Sequence, residues 1–192
     1  MSLKTQILQY SRQDKLEPLL PWFDRQLDLL VDSGIYSTEE QLTQTGEHLV
    51  QGLRDYSNKF NIKNVVIGMS GGVDSALTAA LFKSAGWTVF GVTMPIHQKQ
   101  EETDRGVEAC NALGIHHTHV DLTNAYEDLL KDVHQYDPTI MDTEQALRRG
   151  NLRVRLRMVT LYNLAGLHKG LVGSTDNFSE LAAGFWTLHG DV

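Results

Sequence analysis

A short glycine- and serine-rich stretch holds the residue types of this chain that are most suited to chemistry. It reads SGGVDS from Ser70 to Ser75 and lies between a β-branched apolar run and a helical pattern. A loop between a strand and a helix N-terminus directs several backbone N–H groups and the positive end of the helix dipole at one spot, which suits a phosphate. Gly71 and Gly72 lack a Cβ, so the backbone there can approach an anion closely. The stretch therefore predicts a phosphate-binding loop.

Asp74 is the acidic residue of this loop. A carboxylate beside phosphates repels them unless a divalent cation such as Mg²⁺ lies between the two. The alternative is an ordinary strand-to-helix turn in which Asp74 or Ser75 caps the helix. The complete six-residue string favours phosphate binding with a metal over that alternative.

Five arginines lie within ten residues, in the stretch RRGNLRVRLR, although the chain carries a net charge of −7. On a helix, Arg149, Arg153 and Arg157 share one face, which could be a solvated face paired with acidic neighbours. Asn151 and Arg155 lie on another face. We expect these two to bind an anionic or amide-bearing substrate, because guanidinium pairs with phosphate and carboxylate through two parallel hydrogen bonds.

A third stretch, Ser174 to Glu180, follows a short apolar run and opens a helical pattern. Thr175 could donate a hydrogen bond to a phosphate, and Glu180 is placed to face back toward Asp74. Two carboxylates converging on triphosphate oxygens are the expected arrangement for bound Mg²⁺. In the alternative, Asp176 caps the helix and Glu180 is exposed.

Four other side chains of reactive type are expected to have structural roles and no catalytic or metal-binding role. His116, His117 and His119 are close in sequence, but no partner at ligand spacing accompanies them, so we do not expect a metal there. Cys110 lies in an apolar helical stripe and is expected to be a small core residue.

Alternating strands and helices position these residues from residue 64 onward. The expected strands are Val65–Ile67, Thr88–Thr93, His117–Leu122 and Gly170–Gly173, with a long helix from about residue 143 to 167 and a last one near residues 178 to 186. This alternation implies a parallel sheet with right-handed crossovers, whose ligand site lies beyond the carboxyl ends of the strands. Residues 5–60 carry only helical patterns, one of them opened by a capping box at Ser37–Glu40.

Composition excludes several classes of function. The chain has 192 residues, a net charge of −7 and one cysteine. An acidic chain is unsuited to sequence-independent nucleic-acid binding, and a single cysteine allows neither an internal disulfide nor a cysteine-based zinc site. No apolar run reaches the roughly 20 residues of a membrane helix. We expect a reduced, cytoplasmic protein that binds neither nucleic acid nor membrane.

Three motifs in order resemble one known family. SGGVDS after a strand resembles the loop of the N-type ATP pyrophosphatases, which use ATP to adenylate a carbonyl oxygen and release pyrophosphate. Residues 150–162 resemble the NAD synthetase pattern GNxxARxRMxxxY, and residues 174–191 resemble that family's GTxNxSExxxGxxTxxGD. The resemblance is to the ammonia-dependent NAD synthetases and covers residues 64–191.

The resemblance implies an α/β architecture. Residues 61–192 would form a parallel-sheet, adenine-nucleotide α-hydrolase-like (Rossmann-like) three-layer fold, and residues 1–60 an N-terminal helical extension. The implied reaction is amidation of deamido-NAD with ammonia through an acyl-adenylate, in a homodimer, with ATP as co-substrate and Mg²⁺ as metal. Motif positions imply that Asp74, Glu180 and Arg155 are catalytic. They assign Mg²⁺ to Asp74 and Glu180, the acceptor substrate to Asn151, Arg155 and Asp191, and ATP to Gly68, Ser70, Gly71, Gly72, Val73, Asp74, Ser75 and Thr175.

Alternatives remain open at this stage. The family runs on through a second phosphate-binding loop carrying a lysine, so we expect this chain to be incomplete at its C-terminus. The substrate could be nicotinate mononucleotide in place of the dinucleotide. Another member of the superfamily, such as a tRNA thiolase, is a weaker candidate. A nucleotide-binding homologue without full activity is the non-enzymatic alternative. Nitrogen would come from free ammonia or from a separate chain.

Overall fold

The computed structural model describes residues 2–11, 20–134 and 142–190, and it divides them into two compact units. One unit ends at residue 49 and the other begins at residue 50. This division lies inside a helix that continues to residue 60. The sequence predicted the boundary at the end of that helix, after residue 60.

The first unit contains α1 (Leu3–Ser11), α2 (Pro21–Asp32) and the start of α3 (Glu39–Phe60). Pro21 occupies the first turn of α2, where its missing N–H costs no hydrogen bond. The capping box of α3 lies one residue later than predicted. Thr38 N–H donates to Gln41 Oε1 at 2.8 Å, and Gln41 N–H donates to Thr38 Oγ1 at 3.2 Å. The prediction of Ser37–Glu40 is therefore wrong by one position.

The second unit is built on a parallel four-stranded sheet. Its strands are β1 (Asn64–Gly68), β2 (Thr88–Thr93), β3 (His116–His119) and β4 (Leu171–Gly173), in the order β3-β2-β1-β4. In the register, Val66 lies opposite Phe90 on one side and Val172 on the other. The predicted parallel sheet is confirmed.

The third strand ends earlier than the sequence predicted. The ladder stops at His119, although Val120 N–H still donates to Thr93 O at 2.9 Å and Leu122 N–H to Pro95 O at 3.1 Å. The chain therefore continues beside β2 without strand geometry, and the predicted end at Leu122 is wrong.

Helices cover both faces of the sheet. They are α4 (Val73–Ser84), α5 (Gln100–Leu113), α6 (Thr123–His134), α7 (Asp142–Leu167) and α8 (Phe178–Ala183). Because alternate strand residues point to opposite faces, Val65 and Ile67 pack with α4 and α5, whereas Val66 packs with α6 and α7. This confirms the three-layer α/β architecture. Over the described ranges, no helix has the length and apolar composition that crossing a membrane requires.

Two local predictions have clear outcomes. Cys110 is 0% exposed in the core between α5 and the sheet, as predicted. The last helix ends at Ala183 and not near Trp186, because Gly184 at φ +67° forms a left-handed C-cap.

Candidate active site

The loop between β1 and α4 is braced by its own serines. Ser70 Oγ accepts from Gly72 N–H at 3.2 Å and lies 3.2 Å from Ser75 Oγ, which donates to Gly72 O at 3.0 Å. Gly72 occupies the N-cap of α4, so neither Asp74 nor Ser75 caps this helix. The loop conformation is therefore set before any ligand binds.

Gly71 is the position in this loop that only glycine fits. Its φ is +85°, and a Cβ built there would lie 2.4 Å from the backbone oxygen of Glu102 on α5. Arg105 Nε, also on α5, donates to Gly71 O at 3.4 Å. A side chain at Gly71 would push the loop away from α5, because backbone atoms cannot approach that closely.

A cavity of about 780 Å³ lies beyond the carboxyl ends of β1, β2 and β4. Three ranges that follow these strands line it, Gly68–Ser70, Ile96–Lys99 and Val172–Asp176, and α7 closes it from Arg153 to Tyr162. The chain passes from β1 to β2 on one side and returns to β4 on the other, so the cavity lies at the topological switch point of the sheet. Its volume is within the range of roughly 300–1,000 Å³ that is usual for small-molecule sites.

The cavity is more cationic than the rest of the chain. Lys99, Arg153 and Arg157 line it together with two carboxylates, Glu102 and Asp176. The whole chain has a net charge of −7, so this excess of positive charge is local. Such a lining favours a polyanionic ligand over a neutral one.

Arg157 joins α7 to the loop that follows β2. Its Nε donates to Met94 O at 3.0 Å, and its Nη2 donates to Gln98 Oε1 at 3.1 Å. Burial lowers the pKa of Arg157, the nearby Arg153 lowers it further, and Glu102 acts in the opposite direction. The side chain therefore holds one wall of the cavity in place.

The two α7 residues that sequence reasoning favoured lie elsewhere. Asn151 Oδ1 accepts from Thr187 Oγ1 at 3.0 Å, and Arg155 Nε donates to Leu188 O at 3.2 Å. Both residues hold the segment that follows α8, and neither lines the cavity. Their assignment to substrate binding stays a prediction.

The arginines of α7 lie on two different faces of the helix. Arg153 and Arg157 continue at four-residue spacing into Leu161, which lines the cavity, and Ala165, which is 4% exposed. Arg155 instead continues into Val159, which is 67% exposed. Residue type alone does not distinguish the two faces, because Val159 is as apolar as Leu161, and the packing of α7 decides which face is inward.

The two predicted metal ligands occupy first turns of different helices. Asp74 lies in the first turn of α4, is half-buried, and makes no hydrogen bond or ion pair within the part of the chain that is described. Glu180 is part of a capping box, in which its Oε2 accepts from Asn177 N–H at 3.2 Å and its N–H donates to Asn177 Oδ1 at 2.9 Å. The N-cap of α8 is thus Asn177 and not Asp176.

The carboxylates of Asp74 and Glu180 suit Mg²⁺ better than they suit a metal ion whose ligands all come from the protein. In the residues described, no group of three or more histidine, cysteine or acidic side chains could hold a metal ion. Mg²⁺ commonly takes one or two carboxylates and completes its shell with water and substrate phosphates. An unpaired Asp74 beside the glycine loop suits that arrangement, and the capping box leaves Glu180 Oε1 available.

Two further residues, Thr175 and Asp191, were predicted to contact ATP and the acceptor substrate, respectively. Thr175 follows β4 and lines the cavity. Asp191 lies outside the described residues.

The histidines of β3 bind a threonine. His117 Nε2 and His119 Nδ1 each lie 3.0 Å from Oγ1 of the buried Thr93. Burial lowers the pKa of His117, and the neighbouring His119 lowers it further. This arrangement favours the neutral imidazole of His117.

Comparison with known proteins agrees with this geometry. The family model of NAD synthase matches residues 45–192, which is more than half of the chain. The chain belongs to the NAD synthase family. Among its relatives in that family, the NH(3)-dependent NAD(+) synthetase of Alkaliphilus metalliredigens is 38% identical over 149 residues, covering 76% of this chain and 60% of that protein.

Solved structures of NAD synthase relatives share the fold. The NMN synthetase from Francisella tularensis superposes with a TM-score of 0.70 at 30% identity, over 78% of this chain and 60% of that one. The NH3-dependent NAD synthetase from Campylobacter jejuni superposes with a TM-score of 0.68 at 27% identity, over 78% of this chain and 62% of that one. The chain thus spans about 60% of the length of these relatives.

Proposed function

We propose that the chain carries out the chemistry of an ammonia-dependent NAD synthetase, a carbon–nitrogen ligase. ATP would activate the carboxylate of deamido-NAD, and ammonia would convert it to the amide of NAD with release of AMP and pyrophosphate. The observation that carries this proposal is the cavity at the switch point, which has Gly68 to Ser70, at the start of the glycine loop, on one wall and the cationic face of α7 on another. Membership of the NAD synthase family supports the same reaction.

ATP would bind with its phosphates at the glycine loop. The backbone N–H groups of Val73 to Ser75, at the N-terminus of α4, would supply donors for phosphate oxygens. Gly68 and Ser70 line the cavity beside them, and Thr175 approaches from β4. Asp74 and Glu180 would hold Mg²⁺, which supplies charge neutralisation on the phosphates when bound.

The reaction requires positioning and charge stabilisation more than a protein nucleophile. A carboxylate oxygen of the acceptor attacks the α-phosphorus, and pyrophosphate leaves with the electron pair of the broken P–O bond. Ammonia then attacks the carbonyl carbon of the acyl-adenylate and loses a proton, and AMP leaves. Lys99 and Arg157 line the cavity and would offset the negative charge that develops on the phosphates. Asn151, Arg155 and Asp191 would hold the acceptor in line with the α-phosphate.

Pyrophosphate release tests this proposal. The full chain is assayed with ATP, Mg²⁺, ammonium and deamido-NAD, and Asp74→Asn is compared with Asp132→Asn, an exposed carboxylate on α6. We expect Asp74→Asn to lower the rate by about 100-fold or more, and Asp132→Asn to leave it unchanged. A full rate in Asp74→Asn would refute the metal assignment. No pyrophosphate from the wild-type chain would refute the reaction.

Amidation of nicotinate mononucleotide is the second candidate. The similarity to the Francisella tularensis NMN synthetase, with 30% identity, favours it specifically. The ratio of kcat/KM for the two acceptors separates the candidates. Activity confined to the mononucleotide would replace deamido-NAD as the substrate.

A homodimer is part of the same proposal. The outward face of α7 carries Val159, which is 67% exposed, and a second copy of the chain would cover it. Sedimentation equilibrium of the wild type and of a Val159→Glu variant tests this, because a buried glutamate would shift the variant toward monomer. A cytoplasmic location is also proposed, supported by the free thiol of Cys110. Cell fractionation tests it.

A further inference from the structure

We propose that Arg153, Tyr126 and His97 form a second anion site in the cavity, separate from the glycine loop, which binds a phosphate group of the acceptor nucleotide. The identity of the acceptor rests on the proposed function. The existence of the anion site does not, because it follows from the packing and charge of these side chains.

Three elements converge on the ring of Tyr126, which is 2% exposed on α6. The guanidinium of Arg153 on α7 lies over its face, with Cζ 5.4 Å from the ring centroid. The imidazole of His97, after β2, meets its edge at 5.9 Å and an interplanar angle of 76°. The aromatic ring therefore fixes where the Arg153 cation sits, without supplying it a hydrogen-bond acceptor.

Arg153 has a hydrogen-bond donor without an acceptor among the described residues. Its Nε is buried and makes no hydrogen bond to any residue that the structure describes. Buried donors are almost always paired, and Arg153 also lines the cavity, so its guanidinium has donor capacity beside a space that an anionic ligand can enter. Arg157 differs, since its Nε and Nη2 already donate to Met94 O and Gln98 Oε1.

The charges around Arg153 leave it available to an anion. Glu127, the acidic neighbour on α6, pairs with His97 through Nε2 and Oε1 at 3.1 Å. Glu102 acts on Arg157, whose pKa it raises. Lys99 lines the same cavity and adds positive charge. Arg153 therefore has no carboxylate partner in the described residues, and a phosphate would give it one.

Helix geometry separates this site from the glycine loop. Leu161 of α7 packs on Gly68, where a Cβ would lie 3.4 Å from its Cδ1. Arg153 precedes Leu161 by eight residues on α7, so it lies roughly 12 Å farther along the helix axis. An anion at Arg153 is thus a different group from the phosphate held at the loop.

Binding measurements on the full chain test the site. The loop is first filled with Mg²⁺ and α,β-methylene-ATP, and deamido-NAD and inorganic pyrophosphate are then titrated separately by calorimetry. The variants are Arg153→Met, Arg153→Lys and a matched control, Lys131→Met, whose exposed cation pairs with Asp128 at 3.1 Å. We expect Arg153→Met to weaken both ligands on the order of 10- to 100-fold, Arg153→Lys to weaken them less, and the control to match the wild type.

The outcomes separate this inference from the proposed function. If pyrophosphate binds and is sensitive to Arg153→Met while deamido-NAD does not bind, the anion site stands and the proposed acceptor is wrong. If pyrophosphate does not bind the loaded wild type, or binds Arg153→Met equally well, the anion site is refuted. If Arg153→Met weakens the ATP analogue by the same factor, Arg153 serves ATP and the inference is also refuted. Arg153→Gln replaces Arg153→Met if the latter does not fold by circular dichroism.

Discussion

Replacing Gly71 with alanine would place a methyl carbon against the backbone of α5. The φ of +85° costs a non-glycine residue about 1–2 kcal/mol. The new Cβ would lie 2.4 Å from Glu102 O, and relieving such an overlap in a packed region costs about 1–3 kcal/mol more. We therefore expect Gly71→Ala to lower the free energy of unfolding by about 2–5 kcal/mol.

Two other glycines allow the terms to be separated. Gly86 has nearly the same φ, +87°, but nothing lies within 4 Å of its built Cβ. The change in unfolding free energy of Gly86→Ala therefore measures the cost of the positive φ together with the effect of alanine on the unfolded chain, without any contribution from steric overlap. Gly166 lies within α7 with open space around its Cβ, and Gly166→Ala should stabilise the protein by about 0.5–1 kcal/mol.

Urea denaturation of the three variants measures these differences, and calorimetry measures binding of Mg²⁺ with α,β-methylene-ATP. Gly71→Ala should be less stable than Gly86→Ala by about 1–3 kcal/mol. It should also bind the nucleotide on the order of 10-fold more weakly, whereas Gly86→Ala should bind it normally. Equal stability of the two variants would refute the close packing of the loop against α5. Equal nucleotide affinity would refute the loop as the phosphate site.

Three further predictions concern the structure around the site. Arg157→Met removes two hydrogen bonds to the loop after β2 and should destabilise the protein by about 1–3 kcal/mol in urea denaturation, more than Arg155→Met, which removes one exposed bond. The folded protein lowers the pKa of His117 from 6.5, so it binds fewer protons than the unfolded chain; stability should be full above about pH 6.5 and should fall as the pH drops below it. The urea midpoint at pH 7.5 and 5.5 measures this, and a slope unchanged in His117→Gln would contradict it. Cys110 is buried and its pKa is raised, so Ellman's reagent should label it in denaturant and not in the native protein, and rapid native labelling would contradict its position in the core.

Local patterns explain why so much of the sheet could be predicted. Val65, Val66 and Ile67 form a continuous apolar run because β1 is buried on both faces, and the glycines that follow it mark the turn into α4. Such signals lie within a few residues of one another. The same reasoning placed Cys110 in the core.

Features that depend on tertiary packing were not predictable in this way. Arg153 and Arg155 are both arginines on one helix, and only the packing of α7 on the sheet decides which of them lines the cavity. The end of β3 was also missed, because the apolar residues after His119 bond to β2 without strand geometry. At α8, Asp176 and Asn177 were comparable caps by residue type, and the capping box with Glu180 decides for Asn177.

The fate of the carboxylate oxygens of deamido-NAD tests the proposed chemistry most directly. Deamido-NAD labelled with ¹⁸O on both carboxylate oxygens is incubated with the full chain, ATP, Mg²⁺ and ammonium, and the products are examined by mass spectrometry. Attack of the carboxylate on the α-phosphorus predicts one ¹⁸O in AMP and one in the amide of NAD. Unlabelled AMP, or label in pyrophosphate or orthophosphate, would contradict the account.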